Sequence, residues 1–195
     1  MGRADDTRRT ILEAAYRLFY RQGFHRVGVD RVAAEAGVTK RTLYYHFRSK
    51  DDLLAEVLTF QHQLALTQVR HWGDQLSGDA SALLQGLFRE LAVWAAQPRW
   101  EGSGFTRLVM ELADLPGHPA RLIARRHKAE VEAWLQGQLA SRGVAEATTL
   151  ARQIVILLEG AQAMLLIHRD DAYATAAAEV AIALLEAGVT PRVGA

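Results

Sequence analysis

Residues 36–47 read Ala36-Gly37-Val38-Thr39-Lys40-Arg41-Thr42-Leu43-Tyr44-Tyr45-His46-Phe47. Thr39 is placed to cap a short helix over Lys40–Phe47, a contact worth about 1 kcal/mol. Leu43 and Phe47 stand four apart and define its buried face. A second short helix, Val29–Ala36, precedes it, with Val29, Val32 and Ala33 inward and Gly37 closing the end. Two short helices joined by a four-residue turn make a helix-turn-helix, whose second helix carries the side chains that read DNA.

Outward from this stretch, helical periodicity runs through the chain and alternating strand patterns are lacking. A first helix is expected over Thr7–Gln22, with Ile11, Leu12, Ala15, Leu18 and Phe19 as its apolar stripe and Thr7 as its cap. Gly23 ends it, and Phe24 anchors the turn that follows. Ser49-Lys50-Asp51-Asp52 resembles a capping box and opens a fourth helix reaching about Trp72. Further helices are expected near 80–97, 104–114, 119–141, 146–168 and 172–187, separated by polar, Gly or Pro breaks, with a loose tail after Gly188. The fold class is therefore all-α, about nine helices. A helix-turn-helix DNA-binding domain is expected over 5–65 and a helical effector-binding and dimerisation domain over 66–195.

Residues 1–50 hold 11 Lys+Arg against 5 Asp+Glu, and the remainder holds 12 against 17, so a +6 end adjoins a −5 body. That asymmetry suits a polyanion-binding module on an acidic body. The 195 residues contain no cysteine, which excludes disulfides and thiolate sites and fits a reducing cytoplasm. No secretory pattern opens the chain, and Ile154–Ile167, at 14 residues interrupted by Glu159 and Gln162, reads as a buried helix rather than a membrane span. No His-Glu-x-x-His, no Gly-x-Ser-x-Gly and no phosphate loop is present, so neither an enzyme, a metal site nor a cofactor is expected. Glu111 and Asp114 are read as one solvated helix face.

The run Ile11…Ala14-Ala15…Leu18-Phe19…Gly23-Phe24…Val32-Ala33…Ala36-Gly37-Val38-Thr39…Thr42-Leu43-Tyr44-Tyr45-His46-Phe47…Lys50…Leu53 resembles the DNA-binding domain of the TetR (tetracycline repressor) family over roughly residues 7–60. The resemblance implies a homodimer bound to a pseudo-palindromic operator in double-stranded DNA. It implies a repressor released when a small molecule among the body's helices shifts the fourth helix. An activator or a ligand-independent DNA-binding protein is the alternative. Two residues depart from the family pattern. Gly28 stands where Thr or Ser usually caps the second helix and touches a phosphate. Arg41 stands where a small residue is common, which suggests a distinct operator.

Eight residues are candidates for DNA contact: Thr39, Lys40, Arg41, Thr42, Tyr44, Tyr45, His46 and Lys50. Lys40 and Arg41 lie where such a helix enters the major groove most deeply. Arg41 suits a bidentate contact with guanine, worth about 1–3 kcal/mol of discrimination. Thr39 caps and can donate to a phosphate, whereas Thr42 is expected to be bonded locally. At least one of Tyr44 and Tyr45 must face the duplex, because Leu43 and Phe47 fill the core face. His46 and Lys50 suit phosphates. The competing readings are half-buried packing for Tyr45, a capping group for His46 and a solvated charge for Lys50.

One reading head covers few base pairs, so a second copy is needed about 34 Å away or a multiple of it. The apolar faces of the last two helices (Leu150, Ile154, Leu157, Leu158, Ala161, Leu165; Ala177, Val180, Ala181, Leu184, Leu185) are the expected dimer surface. Trp94, Phe105, Met110, His127, Trp134, Glu159 and Gln162 are candidates for a largely apolar effector pocket, with plain core packing as the competing reading. Glu159 and Gln162 interrupt an apolar helix and need partners, for which His127, Arg126, the other subunit or the effector are available.

Overall fold

The computed structural model describes residues 3–98 and 100–189, so the tail expected to be loose lies largely outside the described residues. Among them the chain forms nine helices and no strand: α1 Arg3–Gln22, α2 Val29–Glu35, α3 Lys40–His46, α4 Lys50–Gln75, α5 Ala80–Ala95, α6 Gly104–Met110, α7 Pro119–Ser141, α8 Ala147–His168 and α9 Ala172–Val189. They form two compact units, Met1–Ala65 with Ser103–His127, and Leu66–Gly102 with Lys128–Ala195.

The first unit is larger than the 5–65 segment. Phe105, Leu108, Leu112, Ala120 and Ala124 share one buried core with Ile11, Phe19, Val32, Leu43, Phe47 and Leu58. At 7 residues α6 is too short to persist without tertiary packing, and this core supplies it. All five expected stripe residues of α1 are buried. Its start corrects the sequence reading: the helix already includes Arg3, so Thr7 is internal and not a cap, while Asp5 and Asp6 occupy the first turn. Gly23 ends α1 at φ +87, a conformation L side chains rarely adopt. α4 opens with the Ser49 hydroxyl accepting the Asp52 N–H at 3.0 Å. The Asp52 carboxylate accepts from the N–H of Arg48, one residue before the partner a capping box would use.

Two boundaries moved for physical reasons. α4 continues through Gly73 to Gln75, because Gly73 serves as a packing site rather than a stop. A Cβ there would stand 2.3 Å from the Trp134 ring, so only glycine lets α7 approach. α6 ends at Met110, and Glu111 is its C-cap, so Glu111 and Asp114 do not share a helical face. α8 is a 22-residue helix, long and apolar enough to cross a membrane by length and composition, yet only 28% buried. It is therefore not simply a core helix. Leu150, Ile154, Ala161 and Leu165 are buried, while Ile156 and Ile167 are 65% and 67% exposed.

The second unit's core joins Leu83, Leu84, Phe88 and Leu91 of α5 to Leu135 and Leu139 of α7, Ile154 of α8 and Ala181 of α9. Its α4–α5 turn is tied down by Arg142, whose guanidinium donates to the carbonyls of Leu76 (3.1 Å), Gly78 (3.2 Å) and Gln138 (3.0 Å). A guanidinium's five N–H groups are fixed in a fork, which makes Arg suited to collecting backbone acceptors.

Candidate nucleic-acid interface

The reading helix is positioned by its neighbours in the first unit. Leu43 and Phe47 are buried, which turns the opposite side of α3 outward. Lys40 and Arg41 are exposed, and Tyr44 and Tyr45 are 44% and 81% exposed. Gly37 takes φ +66 to make the turn, and the Val38 N–H closes it on the Ala33 carbonyl at 2.9 Å.

Local chemistry sorts the eight candidates. The Thr39 hydroxyl accepts the Thr42 N–H at 3.1 Å and shares a 2.9 Å hydrogen bond with the Thr42 hydroxyl. Thr42 is thereby engaged locally. Lys40 Nζ lies 3.0 Å from the Asp30 carboxylate of α2, so its ammonium braces α3 against α2 while remaining at the surface. The His46 ring is half-buried, 5.2 Å edge-on from Tyr45. Lys50 is half-buried, and its ammonium lies 4.2 Å over the Phe24 ring. Burial pulls its pKa below the ordinary lysine value, against the opposing pull of Asp51 and Glu111.

Gly28 occupies the N-cap position of α2 with no side-chain hydrogen bond, and nothing stands within 4 Å of where its Cβ would be. Arg31 and Arg48 are exposed cations beside the reading helix in sequence. Sequence reading passed over them, although the charge count of the first 50 residues contains the signal.

The effector candidates divide between the units. Phe105, Met110 and His127 belong to the first. Phe105 stacks on His127 with ring centroids 3.9 Å apart, and His127 Nδ1 lies 3.1 Å from His62 Nδ1, so both are part of that unit's packing. Met110 is 71% exposed. Trp94, Trp134, Glu159 and Gln162 belong to the second unit. There Trp94 meets Trp72 and Trp100 edge-to-face at 6.2 and 5.5 Å. Glu159 pairs with Lys128, a partner absent from those considered from sequence. Gln162 is half-buried on the same helix.

Comparison with known proteins places this geometry. The family model for bacterial regulatory proteins of the tetR family matches residues 11–57, which contain α2 and α3. The uncharacterized HTH-type transcriptional regulator YxaF of Bacillus subtilis is 27% identical over 168 residues, 85% of this chain and 87% of that protein. The HTH-type transcriptional regulator AcrR of Shigella flexneri is 43% identical over 54 residues, 28% of this chain and a 25% share of its own length. The crystal structure of a TetR-family transcriptional regulator from Streptomyces coelicolor superposes with a TM-score of 0.84 at 27% identity, covering 95% of this chain and 97% of that one. An outward-facing cationic and aromatic α3 on a head that matches the tetR-family model, in a fold shared along nearly the whole chain with a TetR-family regulator, identifies this protein as a DNA-binding transcriptional regulator with a tetR-type DNA-binding domain.

Proposed function

We propose that this chain is a homodimeric repressor that reads a pseudo-palindromic operator with α3 and releases it on binding a small, largely apolar effector in its second unit. The observation that carries the reading is the exposure of Lys40, Arg41, Tyr44 and Tyr45 over a buried Leu43 and Phe47. Arg41 reads a guanine edge, Tyr44 and Tyr45 meet thymine methyls or phosphates, and Lys40 and Thr39 set the helix on the backbone. Thr42 and His46 hold α3's two ends. The capping bond of Thr42 and the half-burial of His46 support these roles.

Dimerisation uses α8 and α9, where Ile156, Ile167 and Val180 are exposed large apolar residues on helices otherwise packed in the second unit. An exposed stripe on a 22-residue apolar helix is covered most economically by its own copy, giving a four-helix interface. The effector site is assigned to Trp94 and Trp134 with Glu159 and Gln162 as its polar groups. To shift the equilibrium, the effector must bind the DNA-free conformation more tightly.

Duplex selection from a random library tests the reading, followed by a reporter carrying the selected sequence. The expected result is a two-half-site duplex and repression of the reporter by the wild-type chain. Enrichment of no sequence, or activation of the reporter, would overturn it.

A further inference from the structure

Glu111 was expected on a solvated face, and the structure places it elsewhere. Its carboxylate accepts the backbone N–H of His25 at 3.1 Å. In return, His25 Nε2 donates to the main-chain carbonyl of Glu111 at 2.8 Å, which fixes the His25 tautomer with its proton on Nε2. The same carboxylate oxygens lie 2.9 and 3.0 Å from where a Cβ would stand on Gly23. A side chain at position 23 would therefore collide with Glu111 as well as strain the φ of +87. Between the two anchor points Phe24 is buried, its ring edge-on to Phe19 at 5.3 Å and to His118 at 6.0 Å, with Lys50 over its face at 4.2 Å. The turn from α1 to α2 is thus clasped from α6, 86 residues away in sequence.

The turn needs that clasp. α2 lacks a capping hydroxyl, because Gly28 offers no side chain. The turn's own Val27 N–H reaches the Phe24 carbonyl only at 3.4 Å. Yet α2 sets α3, through the Lys40–Asp30 ion pair and the Val38–Ala33 hydrogen bond. Reading base edges requires side chains held within about 0.5 Å, so slack in the turn is slack in recognition.

We propose that Glu111 is a positioning residue for DNA reading, clasping the α1–α2 turn through His25 and doing the work that the missing hydroxyl at position 28 would otherwise share. The proposal rests on α3 being the DNA-reading helix. The residue touches no DNA, so its loss weakens discrimination rather than general attraction to phosphates.

The test uses the full-length protein, a duplex selected by the wild-type chain from a random library, and a scrambled duplex of equal length. Glu111→Ala is expected to weaken binding to the selected duplex by about tenfold, the factor one charge-assisted hydrogen bond commonly carries, and to leave the scrambled duplex within about twofold. The His25 amide is expected to exchange with solvent about tenfold faster in that variant. Glu111→Gln keeps an acceptor and is expected to stay within about threefold of the wild type. Gly28→Ser is expected to recover more affinity in the Glu111→Ala background than it adds to the wild type, because cap and clasp share one task. Equal losses on both duplexes, wild-type binding by Glu111→Ala, an unchanged His25 amide, or a Gly28→Ser gain equal in both backgrounds would each overturn the proposal. A wild-type chain that enriches no duplex overturns the DNA-reading assignment and this proposal with it. Normal enrichment with an indifferent Glu111→Ala overturns the clasp alone.

Discussion

At position 28 the backbone already holds a cap geometry, φ −82 and ψ 157, without a group to use it. A serine there meets open space. Gly28→Ser is expected to stabilise the protein by a few tenths of a kcal/mol, roughly the Gly-to-Ser difference at N-caps, read as a higher urea midpoint. No change in midpoint would show that the hydroxyl fails to reach the α2 amides. Arg41 and Lys50 carry a second, paired prediction. Arg41→Ala is expected to cost about 1–3 kcal/mol on the selected duplex and to relax preference at one base position. Lys50→Met keeps the packing on Phe24 and is expected to leave the salt dependence of binding unchanged, whereas a lysine on a phosphate would lower the slope by about 1. The Phe24 ring under the Lys50 ammonium was not legible in sequence, because ring positions come from packing. The cap at Thr39 was legible because capping is local: its oxygen and the Thr42 amide are three residues apart.

Elements were legible where the period was long and the ends were marked. α3, α5 and α7 fall close to the spans their caps and glycines announce. Glycine misled at position 73, since a helix breaker and a packing notch are the same residue in sequence. The distinction has a measurable consequence. Gly73→Ala is expected to destabilise the protein by about 1–3 kcal/mol, because the Trp134 ring must move, an overpacking cost that exceeds the helix propensity gained. Gly137→Ala, within α7 and with nothing within 4 Å of its Cβ, is expected to stabilise by about 0.5–1 kcal/mol. Thermal unfolding of the two variants decides it, and shifts of the same sign would refute the packing role of Gly73. Glu111 was illegible for a related reason. Its helix ends one residue early, and its partner His25 lies on a distant turn.

For the whole molecule the proposed subunit contact on α8 and α9 sets the spacing of the two reading heads. Ile156→Asp places a charge in the middle of the proposed subunit contact. It is expected to shift the mass in light scattering from dimer to monomer at micromolar concentration and to weaken operator binding by at least about tenfold, since two linked heads gain from effective concentration. An unchanged mass would refute α8 as the contact. The chain by itself determined the helix-turn-helix, its capping and the face that α3 turns outward, because these depend on residues three to four apart and on one period of 3.6. Tertiary structure decided which residues keep company across long separations: that Ser103–His127 folds with the first unit, that Lys50 is drawn onto Phe24, that Lys128 answers Glu159, and that Glu111 reaches His25. Such pairings depend on the burial of surfaces from distant segments, and a periodic pattern records that a face is apolar without recording what lies against it.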